Sequence, residues 1–197
     1  MAIVHESSFQ LEIKRKSFHL IVGLTIAILT YFSEPIFGKL ILIPILAGSL
    51  GLFILQHFKK NPINTFMVSH LERHKDARVL YKGAIFYGIG ASVPILLLET
   101  SAACAIIAIL SVGDAASTIL GKLYGKHRPR GKSKSIEGTL AFVIFAVPVA
   151  YLFLQNIWLV LALSIIGAIV ELFSPYDDNL AIPISLTLIV FAMQLLL

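Results

Sequence analysis

Residues 101–121 read SAACAIIAILSVGDAASTILG. The run is as long as a bilayer core requires, about 20 mainly apolar residues, and it carries one acid, Asp114. An ionised side chain at that depth costs roughly 2.5–3.5 kcal/mol on insertion scales, which makes Asp114 a functional candidate by default. Lys122 follows eight residues later, placing Asp114 about 12 Å below the end of the span, within reach of a pocket open to water. One helical repeat from Asp114 brings Ser117 or Thr118, then Gly121, then Gly125 to the same side, a strip of small and hydroxylated residues. Helix packing through Gly121 and Gly125 is the alternative for the two glycines.

Six further apolar segments flank this one: 18–36, 38–57, 83–99, 137–155, 157–173 and 179–196. The composition agrees. Of 197 residues 57% are hydrophobic and 14% charged, with a mean hydropathy of +0.88, whereas soluble domains average roughly 45–50% apolar and about 25% charged. The expected fold class is all-α, a polytopic membrane protein of about seven transmembrane helices, forming one domain over 1–197. The first apolar run is expected as a retained span rather than a cleaved leader, because no small-residue cleavage site follows it promptly. Cys104 is the single cysteine, which excludes a disulfide framework.

The formal net charge of +5 does not indicate nucleic acid, because the cations fall in short segments between apolar runs. All but Lys39 of the 16 Lys and Arg residues lie before the first span, between the second and third, or between the fourth and fifth. Short loops rich in Lys and Arg stay cytoplasmic, so the expected orientation is N-in, C-out. Between spans two and three, Ile63, Phe66, Met67, His70, Leu71 and His74 repeat at helical spacing behind Asn61 and Pro62, predicting an interfacial amphipathic helix.

Three other groups sit on the same predicted side. The loop from Gly125 through Lys126, Arg128, Arg130, Gly131, Lys132 and Lys134 to Ser135 has the glycines, cations and helix-capping hydroxyl that suit phosphate. It is no Walker A loop, since five residues separate its glycines and an apolar helix precedes them. Asp177, Asp178 and Asn179 open the last span after Glu171, and paired carboxylates beside an amide suit magnesium; they also suit a helix cap. Arg15, Lys16 and His19 stand where the first span begins. His70 and His74 lack a third ligand for zinc.

The stretches Glu12 to His19, Lys82 to Tyr87, Gly113-Asp114 through Ser117, Thr118, Gly121 and Gly125 to Lys134-Ser135-Ile136-Glu137-Gly138, and Glu171 to Pro183 resemble the polyprenol kinase family, which includes dolichol, phytol and farnesol kinases and CTP-dependent diacylglycerol kinase. The resemblance implies transfer of the γ-phosphoryl group of CTP to a membrane lipid alcohol, most simply an isoprenoid, with Mg²⁺ as cofactor and the active site on the cytoplasmic face. Carried onto this chain, it gives Asp114 and Asp178 the role of holding Mg²⁺ or orienting the lipid hydroxyl, and Glu137, Glu171 and Asp177 a supporting role at metal or nucleotide. It has Thr118, Gly121, Lys122, Lys132, Lys134 and Ser135 bind the nucleotide, with Arg15, Lys16, His19 and Asn179 completing the pocket. The Gly-Asp block is also similar, more distantly, to phosphatidate cytidylyltransferase. A small transporter with Asp114 as an ion site is a reading from another class. Glycine-bearing helix faces leave room for a homodimer.

Overall fold

A computed structural model describes residues 8–58, 61–62, 64–65, 68, 80–129 and 133–196. Among them there is no strand. Seven helical segments follow in order: α1 Ser8–Phe37, α2 Leu42–Leu55, α3 Lys82–Leu97, α4 Thr100–Tyr124, α5 Ile136–Tyr151, α6 Ile157–Phe173 and α7 Asp178–Leu196. A 3₁₀ turn, Gly38–Ile41, joins α1 to α2, and Gly38 takes the left-handed backbone (φ 56°) that glycine adopts without steric cost.

Each predicted apolar segment becomes a helix, but not all are equally long. The α1–α2 segment (Phe9–Leu55), α4 and α7 are long and apolar enough to cross a membrane, whereas α3, α5 and α6 are shorter apolar helices. Of the amphipathic helix predicted over Ile63 to His74, Asn64, Thr65 and Val68 are helical, as is Pro62 before it; the rest, Ile63, Phe66, Met67, His70, Leu71 and His74 among it, lies outside the described residues.

The centre of the bundle is α4. Its apolar window is 78% buried, against 6% for the first long segment, and every side chain from Ala102 to Leu110 is shielded. A helix apolar on all sides belongs inside a protein or bilayer, and the alanines of this stretch let neighbours approach closely. Helices α1, α3, α5, α6 and α7 all pack on α4, while α2 leans on α3. Just before Asp114 the helix widens into a π turn, Ile109–Gly113, a local expansion that is frequent at functional sites.

The crossing of α4 and α5 explains the glycines downstream of Asp114. A Cβ on Gly138 would stand 2.7 Å from the Ser117 carbonyl oxygen and 3.2 Å from Gly121 Cα. Gly121 and Gly138 therefore pack backbone against backbone; the sequence offered packing for Gly121 with Gly125, not with Gly138. Ser135 caps α5 as predicted, its Oγ accepting from Gly138 N at 3.1 Å.

Gly138→Val pushes a side chain into backbone that has nowhere to go, and is expected to lower stability by about 1–3 kcal/mol. Gly51→Ala, where an added Cβ meets nothing within 4 Å, should lose none. Thermal unfolding of the detergent-solubilised protein checks the pair.

Candidate functional site

Helices α1, α3, α5 and α7 begin, and α2, α4 and α6 end, at one end of the bundle, so residues far apart in sequence meet there. Asp114, buried on α4, receives an ion pair from Lys16 of α1 through Oδ2, and His19 Nε2 stands 3.4 Å from the same oxygen. The three-residue spacing of Lys16 and His19 puts them one turn apart on the face of α1 that looks at α4. His19 stacks edge-on against Tyr87 of α3, ring centroids 4.7 Å apart. Tyr87 Oη meets Ser111 Oγ at 2.7 Å inside the π turn, and both crowd against Gly23, where a Cβ would collide with them.

The second half of the site comes from α6 and α7. Ser117, one turn past Asp114, donates to Glu171 Oε1 at 3.2 Å. Lys134 Nζ bridges Glu171 Oε1 at 3.1 Å and Asp178 Oδ2 at 2.7 Å, and donates to the Glu171 carbonyl. Partial burial works against the Lys134 ammonium, but the Glu171 and Asp178 carboxylates outweigh it and raise its pKa above the ordinary value.

Asp114, Glu171 and Asp178 each offer a carboxylate oxygen within 4.8 Å of the others. Asp114 Oδ1 and Glu171 Oε2 are buried with no hydrogen-bond partner. Burying an acceptor without a partner is costly, and an all-oxygen donor set fits a hard divalent cation such as magnesium. Glu171 thus joins Asp114 and Asp178 in this cluster. Asp177, named from the sequence as a ligand beside Asp178, caps α7 instead, its Oδ1 accepting from Asn179 N at 3.2 Å, although it too lines the cavity described below.

The remaining candidates divide. Asn179 is tied to the start of α3, its Nδ2 donating to Gly83 O at 3.1 Å. Arg15 pairs with Glu12, and Lys122 reaches the other oxygen of Glu12 at 3.1 Å, so Glu12 organises two cations. Glu137 closes the polar loop, accepting from His127 N at 3.1 Å and meeting His127 Nδ1 at 2.7 Å. Thr118, Gly121, Lys122 and Ser135 do not line the cavity. Lys132 lies outside the described residues. Two residues that the sequence placed only within motifs, without a site role, take part here: Ser117, whose hydroxyl lies between the Asp114 backbone carbonyl and Glu171, and Tyr87 against His19. A hydroxyl one turn from Asp114 was the available signal for the first; Tyr87 carried none.

A cavity of about 930 Å³ opens at this cluster. Its polar end is formed by Arg15, Lys16, His19, Asp114, Lys134, Asp177, Asp178 and Asn179; away from it the walls become apolar, with Val22, Ile26 and Leu29 of α1 facing Pro44, Ile45 and Gly48 of α2 above Gly88 of α3. Such a space suits a molecule with an anionic head and a hydrocarbon body.

No family model and no solved structure matches the chain. Among known proteins it is similar to an uncharacterized protein of Methanocaldococcus jannaschii, 32% identical over 186 residues covering 91% of this chain and 92% of that one. It is 26% identical to dolichol kinase of Saccharomyces cerevisiae, covering 92% of this chain but only 37% of the yeast protein. It is 25% identical to CTP-dependent diacylglycerol kinase 1 of Schizosaccharomyces pombe, covering 88% and 89% of the two chains.

Lys16→Met leaves Asp114 buried without its main counter-charge and is expected to destabilise the fold by about 3–5 kcal/mol. Adding Asp114→Asn removes the stranded charge and should return most of the loss. Thermal unfolding of the single and double variants reads the coupling directly.

Proposed function

We propose that this chain, which belongs to the polyprenol kinase family, transfers the γ-phosphoryl group of CTP to the hydroxyl of a membrane lipid alcohol, an isoprenoid alcohol first among them. The observation that carries the reading is the continuity of one cavity from a carboxylate and ammonium cluster into an apolar slot. A lipid alcohol has that same division, and the nucleotide would meet its hydroxyl at the polar end.

Phosphoryl transfer demands positioning and charge neutralisation more than covalent chemistry from the protein. Asp114, Glu171 and Asp178 are the residues that would hold Mg²⁺, which when bound supplies charge compensation at the phosphoryl oxygens. Lys134, already at the mouth of the cavity, contributes a cation toward the triphosphate, and Arg15 adds a second. Asp114 Oδ1, free of protein partners, is placed to accept a hydrogen bond from the lipid hydroxyl when it does not ligate the metal. The Lys16 ammonium, bonded to Oδ2, holds Asp114 in place, and the His19 ring lies beside the same oxygen.

The seven helices would all span the membrane, with the N-terminus and the active site cytoplasmic. Among the described residues, every Lys and Arg but Lys39 lies at the end of the bundle that carries the carboxylates, which is the asymmetry the positive-inside rule asks for. The short α3, α5 and α6 are accommodated by local thinning of the bilayer around them.

A diacylglycerol acceptor is the second reading, favoured by one observation: the match to the diacylglycerol kinase runs over most of that protein, whereas the chain spans little more than a third of the yeast dolichol kinase.

The test uses purified protein, Mg²⁺, and CTP labelled on its γ or its α phosphorus, offered with polyprenol, geranylgeraniol or diacylglycerol. The expected product is lipid carrying the γ label alone, with an isoprenoid preferred. Lipid carrying the α label would make the chain a cytidylyltransferase, and no labelled lipid with CTP or ATP would favour a transporter with Asp114 as ion site. Asp114→Asn is isosteric and Lys16 can extend its ammonium toward the interface, so folding should stay near normal while turnover falls by about a hundredfold or more.

A further inference from the structure

The slot between α1 and α2 has an unequal construction. Helix α1 is packed on α4 and α2 on α3, so the two face each other across the cavity with α3 beneath. From Lys16 to Thr30, both of which line it, α1 advances about 21 Å. The slot therefore runs lengthwise through much of the membrane's apolar depth, beginning at the carboxylates.

Two glycines of α2 differ in what surrounds them. An added Cβ at Gly48 or at Gly51 meets nothing within 4 Å, so neither glycine is required by packing. Gly48 lines the cavity and Gly51 does not. Glycine in a helix interior costs roughly 0.5–1 kcal/mol relative to alanine, and Gly48 shares the cavity lining with Pro44 and Ile45 of α2 and with Val22 and Ile26 of α1, where any larger side chain would occupy slot space.

We propose that the α1–α2 slot is the berth of the hydrocarbon tail of a single-chain lipid alcohol, and that Gly48 sets how long a tail can pass. The inference rests on the lipid-alcohol reading above and deepens it. The hydroxyl lies at Asp114, the first part of the tail lies between Val22 and Gly48, and a longer tail continues past Ile26 and Ile45. Because the slot follows α1 from Lys16 to Thr30, the tail lies along that helix.

The experiment pairs Gly48→Leu with Gly51→Leu. Turnover is measured with a long polyprenol and with a short isoprenoid alcohol, and in parallel a long isoprenoid alcohol bearing a diazirine at its far end is photolysed in the membrane-embedded protein and the labelled residues are mapped. Gly48→Leu is expected to reduce turnover of the long alcohol by about tenfold or more relative to the short one, the scale of a few methylenes in an apolar pocket, and to abolish label between α1 and α2. Gly51→Leu is expected to change neither. Equal effects of the two substitutions, or label in the slot undiminished by Gly48→Leu, would overturn the proposal. Slot labelling that depends on Gly48 without any phosphorylated lipid would refute the kinase reading while sustaining the berth; a variant that fails to fold is recognised by its melting curve, and Gly48→Val, smaller and measured the same way, then decides.

Discussion

Asp114 is a carboxylate held at the centre of an apolar bundle, and most of the site is arranged around making that tolerable. A charge there is expensive unless paired, and here two α1 side chains one turn apart, Lys16 and His19, converge on one of its oxygens. That requirement fixes the rotation of α1 against α4. It explains why Gly23 lies a turn further along α1, where any side chain would collide with Tyr87 and Ser111. It also leaves the other oxygen, Oδ1, buried without a hydrogen-bond partner, in a carboxylate that comes within 4.8 Å of those of Glu171 and Asp178.

The second consequence is a balance of opposite charges in a small space. Three carboxylates meet two lysines, Lys16 from one side and Lys134 from the other. Like charges this close repel strongly in a medium of low dielectric, so the ammonium groups are structural before they are catalytic. Lys134 sits two residues before α5 and touches both α6 and α7; the loop that the sequence marks as a phosphate binder is thereby also what ties the last helices to the centre.

Much of this was legible from residue order. Apolar runs and the asymmetry of Lys and Arg gave the helices and their common charged end, and Asp114 stood out because ionisable residues are rare in such runs. Ser135 as a cap followed from local chemistry; Lys134 was read as a cation for phosphate, and its pairing with Glu171 and Asp178 was not foreseen. What could not be read was which acids converge. Asp177 and Asp178 are neighbours in sequence and both line the cavity, yet only Asp178 has a carboxylate oxygen grouped with those of Asp114 and Glu171; Asp177 accepts from Asn179 N at the start of α7, and Glu171 joins the cluster from the end of α6. The π turn before Asp114 and the role of Gly121 and Gly138 as a contact were likewise tertiary facts, the latter depending on how two backbones cross.

The convergence of Asp114, Glu171 and Asp178 on one cation is the claim on which the catalytic reading stands, and binding of Mn²⁺, followed by electron paramagnetic resonance in the absence of nucleotide and lipid, tests it most directly. The expected result is a saturable site that is lost in Asp178→Asn and in Glu171→Gln and retained in Asp177→Asn. Retention in Glu171→Gln together with loss in Asp177→Asn would contradict it, and would return the cation to the adjacent pair that the sequence alone points to.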